Sequence, residues 1–152
     1  MGGKRILGAT LAPCVHLGGL LGFLRLAEDC GHQTFFLGAA VAPADLTKAA
    51  REYRPDIIAV SYRLSPDSAR SALAELRGAL RETGLDGVEM AFGGTPPAAA
   101  VAREIGLFAA VFSGEEEAGE VLAYLRGIPP EAGEARYPQT LVERIEARKP
   151  YP

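Results

Sequence analysis

The chain has 152 residues, of which 48% are hydrophobic and 23% charged, and its formal net charge is −3. This length suits one domain with a buried core of its own. The negative net charge argues weakly against nucleic acid as a partner, because phosphate binding usually needs a basic face. No apolar run reaches the roughly 18 residues that a membrane span needs. Two cysteines, Cys14 and Cys30, are too few for a disulfide framework. We therefore expect a cytoplasmic protein that binds neither nucleic acid nor a membrane.

Five short apolar segments alternate with five helical patterns, which predicts a parallel β-sheet with helices on both faces. The predicted strands span residues 5–11, 33–37, 56–61, 88–92 and 107–112. Their apolar residues run continuously rather than alternating with polar ones, as in strands buried on both sides. The pattern predicts a doubly wound α/β fold with five parallel strands.

The predicted helices have ordinary start and stop signals, with prolines suited to a first turn and glycines at the ends. Four of them span residues 18–30, 43–53, 66–82 and 96–105. A fifth opens at residues 113–117, where Ser113 is the predicted N-cap. Residues 1–127 are thus predicted to form one α/β domain. Residues 128–152 are predicted to be a linker and C-terminal tail, which packs on the outside or leads to a catalytic domain or subunit.

In an open parallel sheet, ligands bind beyond the carboxyl ends of the strands, where the strand order reverses. This rule nominates residues 12–19, 61–65, 93–95 and 113–114. The first segment is the most unusual, since Cys14 and His16 stand just before Gly18 and Gly19. The glycines lack dinucleotide-binding spacing, and no Lys followed by Ser or Thr forms a Walker-type loop. A phosphoryl-accepting receiver needs an acid where this chain has Ser61.

Three motifs at these strand ends resemble the cobalamin-binding domains of B12-dependent mutases and methyltransferases, whose pattern is D-x-H-x-x-G, S-x-L and G-G. Residues 14–19, Cys-Val-His-Leu-Gly-Gly, match the first motif with His16 and Gly19 in register. Ser61 matches the second motif, and Gly93-Gly94 matches the third. The resemblance covers about residues 4–126 and implies a flavodoxin-like (Rossmann-like) cobalamin-binding fold.

The resemblance also implies a binding mode. In most of the family the dimethylbenzimidazole tail of cobalamin leaves the metal and enters the domain, and the matching histidine ligates cobalt from below. His16 is therefore the implied lower axial ligand and the implied metal-binding residue. The other implied cofactor contacts are Cys14, Val15, Leu17, Gly18, Gly19, Ser61, Tyr62, Arg63, Ser65, Gly93, Gly94, Ser113 and Gly114.

Two positions depart from the family pattern. Cys14 stands where the family has an aspartate that accepts the far N–H of the histidine, and a neutral thiol is a poor acceptor. Arg63 replaces the leucine of the second motif. The cation of Arg63 either contacts the nucleotide phosphate or forms a salt bridge, and the sequence does not decide between these roles.

No set of acids and bases for catalysis is evident, so we expect no catalytic residues in this chain. The leading hypothesis is a cobalamin-binding domain or small subunit of an adenosylcobalamin-dependent mutase, a component of an isomerase rather than a complete enzyme. Adenosylcobalamin is the favoured form over methylcobalamin. A separate catalytic subunit or domain would cover the corrin face, and the cofactor would carry the reaction. A cobalamin carrier or sensor, a methyl-transfer corrinoid protein and a degenerate domain that no longer binds B12 remain the alternatives.

Overall fold

The computed structural model describes residues 3–127, in which strands and helices alternate along the chain. The strands are β1 (Arg5–Leu11), β2 (Gln33–Val41), β3 (Ile57–Tyr62), β4 (Glu89–Gly94) and β5 (Ala110–Phe112). The helices are α1 (Gly18–Asp29), α2 (Pro43–Tyr53), α3 (Pro66–Glu82), α4 (Pro96–Ile105) and α5 (Ala118–Arg126). All strand pairs are parallel, in the order β2-β1-β3-β4-β5. This is the flavodoxin-like order, so the predicted fold class is confirmed.

The chain divides into two units between Gly114 and Glu115. The five strands and α1–α4 belong to the first unit, and α5 belongs to the second. The predicted linker and tail, residues 128–152, lie outside the described residues, so the predicted domain boundary at residue 127 stays a prediction. Among residues 3–127, no helix has the length and apolar composition needed to cross a membrane.

The two faces of the sheet carry side chains of different sizes. Gly8 of β1 faces α1, because a Cβ built there would lie 2.9 Å from Cδ1 of Leu24. The opposite face packs against α2, α3 and α4 and holds the large side chains of the core. They are Leu7, Leu11, Ile58, Val60, Tyr62, Met90 and Phe92 from the strands and Leu46, Leu73, Leu76 and Leu80 from the helices. The buried face of α3 therefore lies in this core.

The edge strand β2 differs from the predicted strand. It continues to Val41 instead of ending at Leu37, and in the described sheet it pairs with β1 alone. The expectation of burial on both sides is wrong here, since Phe35 is 44% exposed. An edge strand is covered less completely by the flanking helices than a central one. The ladder with β1 also becomes irregular after Gly8, and Ala40 adopts a φ of 51°.

The last two elements begin later than predicted. β5 covers Ala110–Phe112 instead of starting at residue 107, and α5 follows an N-cap at Glu117. The prediction that Ser113 caps this helix is wrong. Gly114 has a φ of 89°, a backbone conformation that cannot belong to the first turn of a right-handed helix, so the helix starts beyond it.

The adjacent glycines of β4 test this packing. A Cβ at Gly94 would lie 2.3 Å from the carbonyl oxygen of Tyr62, whereas a Cβ at Gly93 would meet nothing within 4 Å. We expect Gly94→Ala to lower the free energy of unfolding by about 1–3 kcal/mol through overpacking. The matched control Gly93→Ala should change it by less than about 0.5 kcal/mol. Urea denaturation measures both, and equal losses in the two variants would contradict this account.

Candidate functional site

The predicted motifs meet where the strand order reverses. β1 leads into α1 on one face of the sheet and β3 leads into α3 on the other, so a crevice opens between the two strand ends. The ladder between β1 and β3 ends with Thr10 beside Ser61, and the ladder between β3 and β4 places Ser61 beside Gly93. The loop that carries His16 follows β1 at the same edge.

The sheet surface that faces α1 is built from small residues at this edge. Its last two rows are Gly8, Ala59, Ala91 and Ala110, followed by Thr10, Ser61, Gly93 and Phe112. Residues two apart in a strand point to the same face, so both rows face the side that Gly8 faces. Beside Gly93 the space is open, since no atom lies within 4 Å of a Cβ built there. A flat group can therefore approach the backbone of β4 at this point.

The ring of Phe112 ends the second row of small residues. It lies 6.3 Å from the ring of Phe23 on α1, measured between centroids, with the two planes tilted by 41°. The aromatic pair thus joins α1 to the sheet at β5, on the same face as the open space beside Gly93.

Ser61 brings a hydroxyl to this surface. The residue is 5% exposed, and its hydroxyl makes no hydrogen bond within residues 3–127. Next to the open space at Gly93, this hydroxyl is available to a ligand as donor or acceptor.

Thr10 anchors the loop that carries His16. The buried Thr10 hydroxyl donates to the carbonyl oxygen of Cys14 at 2.5 Å and accepts from the N–H of Ala40 at 2.8 Å. The same Ala40 N–H also reaches the Cys14 carbonyl oxygen at 3.0 Å, and the Cys14 N–H donates to the Leu11 carbonyl at 2.8 Å. The loop is therefore fixed to the ends of β1 and β2. Sequence reasoning missed Thr10, because a threonine inside a strand carries no local signal of this role.

His16 itself is exposed, and its Nδ1 lies 3.7 Å from the Sγ of the fully buried Cys14. With Nδ1 in this contact, Nε2 is the ring nitrogen available to a metal. If Nε2 binds a metal, the neutral imidazole carries its proton on Nδ1, and this proton points to the Sγ of Cys14. Within the described residues, the Sγ of Cys14 is thus the atom in contact with Nδ1 of His16, at a distance longer than that of an N–H···O hydrogen bond.

The loop and the start of α1 present open backbone and apolar side chains beside His16. Cβ atoms built at Gly18 and Gly19 would meet nothing within 4 Å, so a ligand can approach the backbone there. Val15 is 61% exposed and Leu21 is 42% exposed. The N-cap residue Leu17 makes no side-chain capping bond. This surface is exposed and largely apolar.

The remaining predicted site residues lie either in structural positions of the fold or at the carboxyl edge of the sheet. Tyr62 is fully buried in the core on the face of α2–α4, and Gly94 permits the close approach of β3. The Ser65 hydroxyl caps α3 by accepting a hydrogen bond from a backbone N–H of its first turn at 3.2 Å. Ser113 and Gly114 follow β5 at the carboxyl edge. Tyr62, Gly94 and Ser65 therefore have structural roles that need no ligand.

Residues 4–123 match the family model of the B12-binding domain. The chain belongs to the B12-binding domain family. The match extends over most of the chain, so the family predicted from the three motifs is confirmed. No curated protein matches the sequence.

Solved structures agree with this assignment. The B12-binding domain is similar to a cobalamin-binding protein from Desulfitobacterium hafniense DCB-2, with 27% identity and a TM-score of 0.64, over 74% of this chain and 53% of that one. The methanol:cobalamin methyltransferase complex MtaBC from Methanosarcina barkeri shares the fold, with 15% identity and a TM-score of 0.66, over 93% of this chain and 51% of that one. The chain spans about half the length of these two structures.

The same fold occurs outside cobalamin proteins. The signal receiver domain of the response regulator NarL from Mycobacterium tuberculosis has 16% identity and a TM-score of 0.55, over 90% of this chain and 100% of that one. The fold alone therefore does not separate a receiver from a B12-binding domain. The residues at the carboxyl edge do, because Ser61 stands where a receiver needs an acid.

The residues at the carboxyl edge fit a cobalamin. The space beside Gly93 and the unpartnered hydroxyl of Ser61 suit a flat, polar heterocycle such as the tail of the cofactor. The exposed imidazole of His16 is a competent transition-metal ligand. A cobalamin bound at this edge would find in His16 a side chain able to hold its metal.

The anchoring of the histidine loop gives a test of the B12-binding domain that needs no cofactor. Thr10→Val keeps the shape of the side chain and removes the hydroxyl that links Cys14 and Ala40. We expect it to lower the free energy of unfolding in urea by about 1–3 kcal/mol, because the Cys14 carbonyl loses one of its two donors and the Ala40 N–H loses one of its two acceptors. Thr10→Ser keeps the hydroxyl and should recover most of this loss. A valine variant as stable as the wild type would show that the loop does not depend on Thr10.

Proposed function

We propose that this B12-binding domain holds cobalamin with His16 as the lower axial cobalt ligand and presents it to a separate catalytic partner. The observation that carries the proposal is the exposed imidazole of His16 on a loop anchored by Thr10, at the edge where Ser61 and Gly93 leave a polar, open surface. The anchored loop limits the positions that the ring can take. The loss of entropy on ligation is therefore smaller than for a free loop.

The residues of this chain bind and orient the cofactor in this proposal. Ser61 and Gly93 receive the displaced tail, and Cys14 holds Nδ1 of His16 so that Nε2 faces the metal. When bound, cobalamin supplies the reactive cobalt–carbon bond, and the protein supplies position and access. The Sγ–Nδ1 distance of 3.7 Å makes Cys14 a weaker partner than a carboxylate. We therefore expect His16 to be less firmly oriented than a histidine held by aspartate.

The proposed partner is a catalytic subunit or domain that covers the exposed corrin face. Val15 and Leu21, both largely exposed beside His16, provide apolar surface around the cofactor. The proposed reaction class is the adenosylcobalamin-dependent mutase predicted from the sequence. Tighter binding of adenosylcobalamin than of methylcobalamin would support it, and the opposite preference would favour a methyl-transfer corrinoid protein.

Titration of the purified protein with hydroxocobalamin and adenosylcobalamin, followed by visible absorption, tests the ligand role of His16. We expect a spectral change on binding that His16→Ala loses, together with at least the about 10–100-fold loss of affinity that removal of a supporting partner costs a metal site. His32→Ala is the matched control, since His32 accepts a hydrogen bond from the N–H of Lys4 at the other edge of the sheet.

Each other result of this titration contradicts a different part of the proposal. An unaltered titration with His16→Ala would mean that the cofactor is held without this ligand, as in a carrier or sensor. No binding of either cobalamin by the wild-type protein would mean a degenerate domain.

Filling the open space beside Ser61 tests where the tail binds. A valine suits a β-strand, and in Gly93→Val its side chain projects from β4 into the space where a Cβ meets nothing within 4 Å. We expect cobalamin affinity to fall by about tenfold or more, which corresponds to a clash of at least about 1.4 kcal/mol. The unfolding midpoint in urea should stay close to that of the wild type. Unchanged affinity in a folded Gly93→Val variant would place the tail elsewhere.

A further inference from the structure

Arg63 is an exposed cation at the carboxyl end of the central strand β3. It follows Tyr62, the last residue of the strand, and stands two positions after Ser61. Its guanidinium makes no ion pair or hydrogen bond within residues 3–127. The salt-bridge role that the sequence left open therefore has no partner in the described part of the chain.

The surroundings of Arg63 are poor in acids. Each helix follows a parallel strand, so α1, α2, α3 and α4 begin at this edge and contribute the partial positive charge of their N-termini. The first turns of α1 and α4 contain no Asp or Glu, whereas those of α2 and α3 contain Asp45 and Asp67. The loop from Ala12 to Leu17 also has no acid. Following β1 and β4, the strands that flank β3, no acid therefore stands at this edge.

Two of these helix N-termini are already capped. The hydroxyls of Ser65 and Thr95 accept hydrogen bonds from the first turns of α3 and α4. The N-terminus of α1 has no side-chain cap. The unpaired charge of Arg63, the uncapped start of α1 and the unpartnered hydroxyl of Ser61 together suit a ligand that carries negative charge next to a polar heterocycle.

We propose that Arg63 recognises the phosphodiester of the cobalamin nucleotide loop and makes the domain select complete cobalamins over truncated corrinoids such as cobinamide. The inference rests on the proposed function, in which the tail lies against Ser61 and Gly93. The phosphodiester connects the heterocycle with its ribose to the corrin ring. A cation two residues beyond Ser61 is therefore near the tail and on the way to the ring. Arginine suits this group because its fork of N–H donors matches two phosphate oxygens.

The test compares the dissociation constants of hydroxocobalamin and cobinamide for the wild type and Arg63→Leu, measured by visible absorption. Cobinamide lacks the phosphodiester, the ribose and the heterocycle. Leucine is the residue of the family pattern, and position 63 is exposed, so the variant should fold. Arg103→Leu is the matched control, because Arg103 is an exposed arginine in the last turn of α4, at the other edge of the sheet.

We expect Arg63→Leu to weaken hydroxocobalamin binding by about three- to tenfold, the range for a partly exposed charged contact. Cobinamide binding should stay unchanged, and Arg103→Leu should alter neither constant. Raising the salt concentration should reduce the difference between the wild type and Arg63→Leu, since the contact is screened. Arg63→Lys should retain part of the selectivity.

Other outcomes distinguish a failure of the role proposed for Arg63 from a failure of the proposed cobalamin-binding function. Equal weakening of both corrinoids, no weakening of either, or tighter cobalamin binding by Arg63→Leu would overturn the role of Arg63. In each of these cases cobalamin still binds, so the proposed function stands. A wild-type protein that binds neither corrinoid would overturn the proposed function and this inference with it.

Discussion

The parallel pairing of β1 with β3 is the constraint on which the rest of this domain depends. Because β2 lies outside β1, the chain must cross one face of the sheet through α1 and return across the other through α2. The two central strands then end side by side while their connections leave in opposite directions. Thr10 and Ser61, the last pair of this ladder, form the floor of the resulting crevice. The candidate contacts to the cofactor are arranged around that pair.

The sheet separates stability from binding by using its two faces differently. The face of α2–α4 holds the large buried side chains, among them Phe92 and Tyr62, and gives the main hydrophobic contribution to folding. The face of α1 ends in rows of small residues, where Ser61 and Gly93 lie. A cleft on this second face removes few contacts from the core. The domain can therefore present an open binding surface without a large loss of stability.

The order of the elements was predictable from the sequence because its signals are local, such as the prolines that begin α2, α3 and α4. The extension of β2 was not, because Ala40 keeps its positive φ through hydrogen bonds to Thr10 and Cys14, which are distant in sequence. Within the site, the resemblance to a family indicated His16, Ser61 and the glycine pair. It gave no sign of Thr10, whose hydroxyl acts only once β1, β2 and the loop have come together.

The two glycines of β4 imply different histories of substitution among related chains. Gly94 is confined by the carbonyl of Tyr62 with or without a ligand, so any relative with this backbone must keep it. Gly93 faces open space, so selection can act on it only through what binds there. If the tail of the cofactor lies beside Gly93 as proposed, a lineage that stops binding corrinoid is free to replace Gly93 but not Gly94. A relative with a bulky residue at position 93 and glycine at position 94 would then be one that keeps the fold but no longer binds cobalamin.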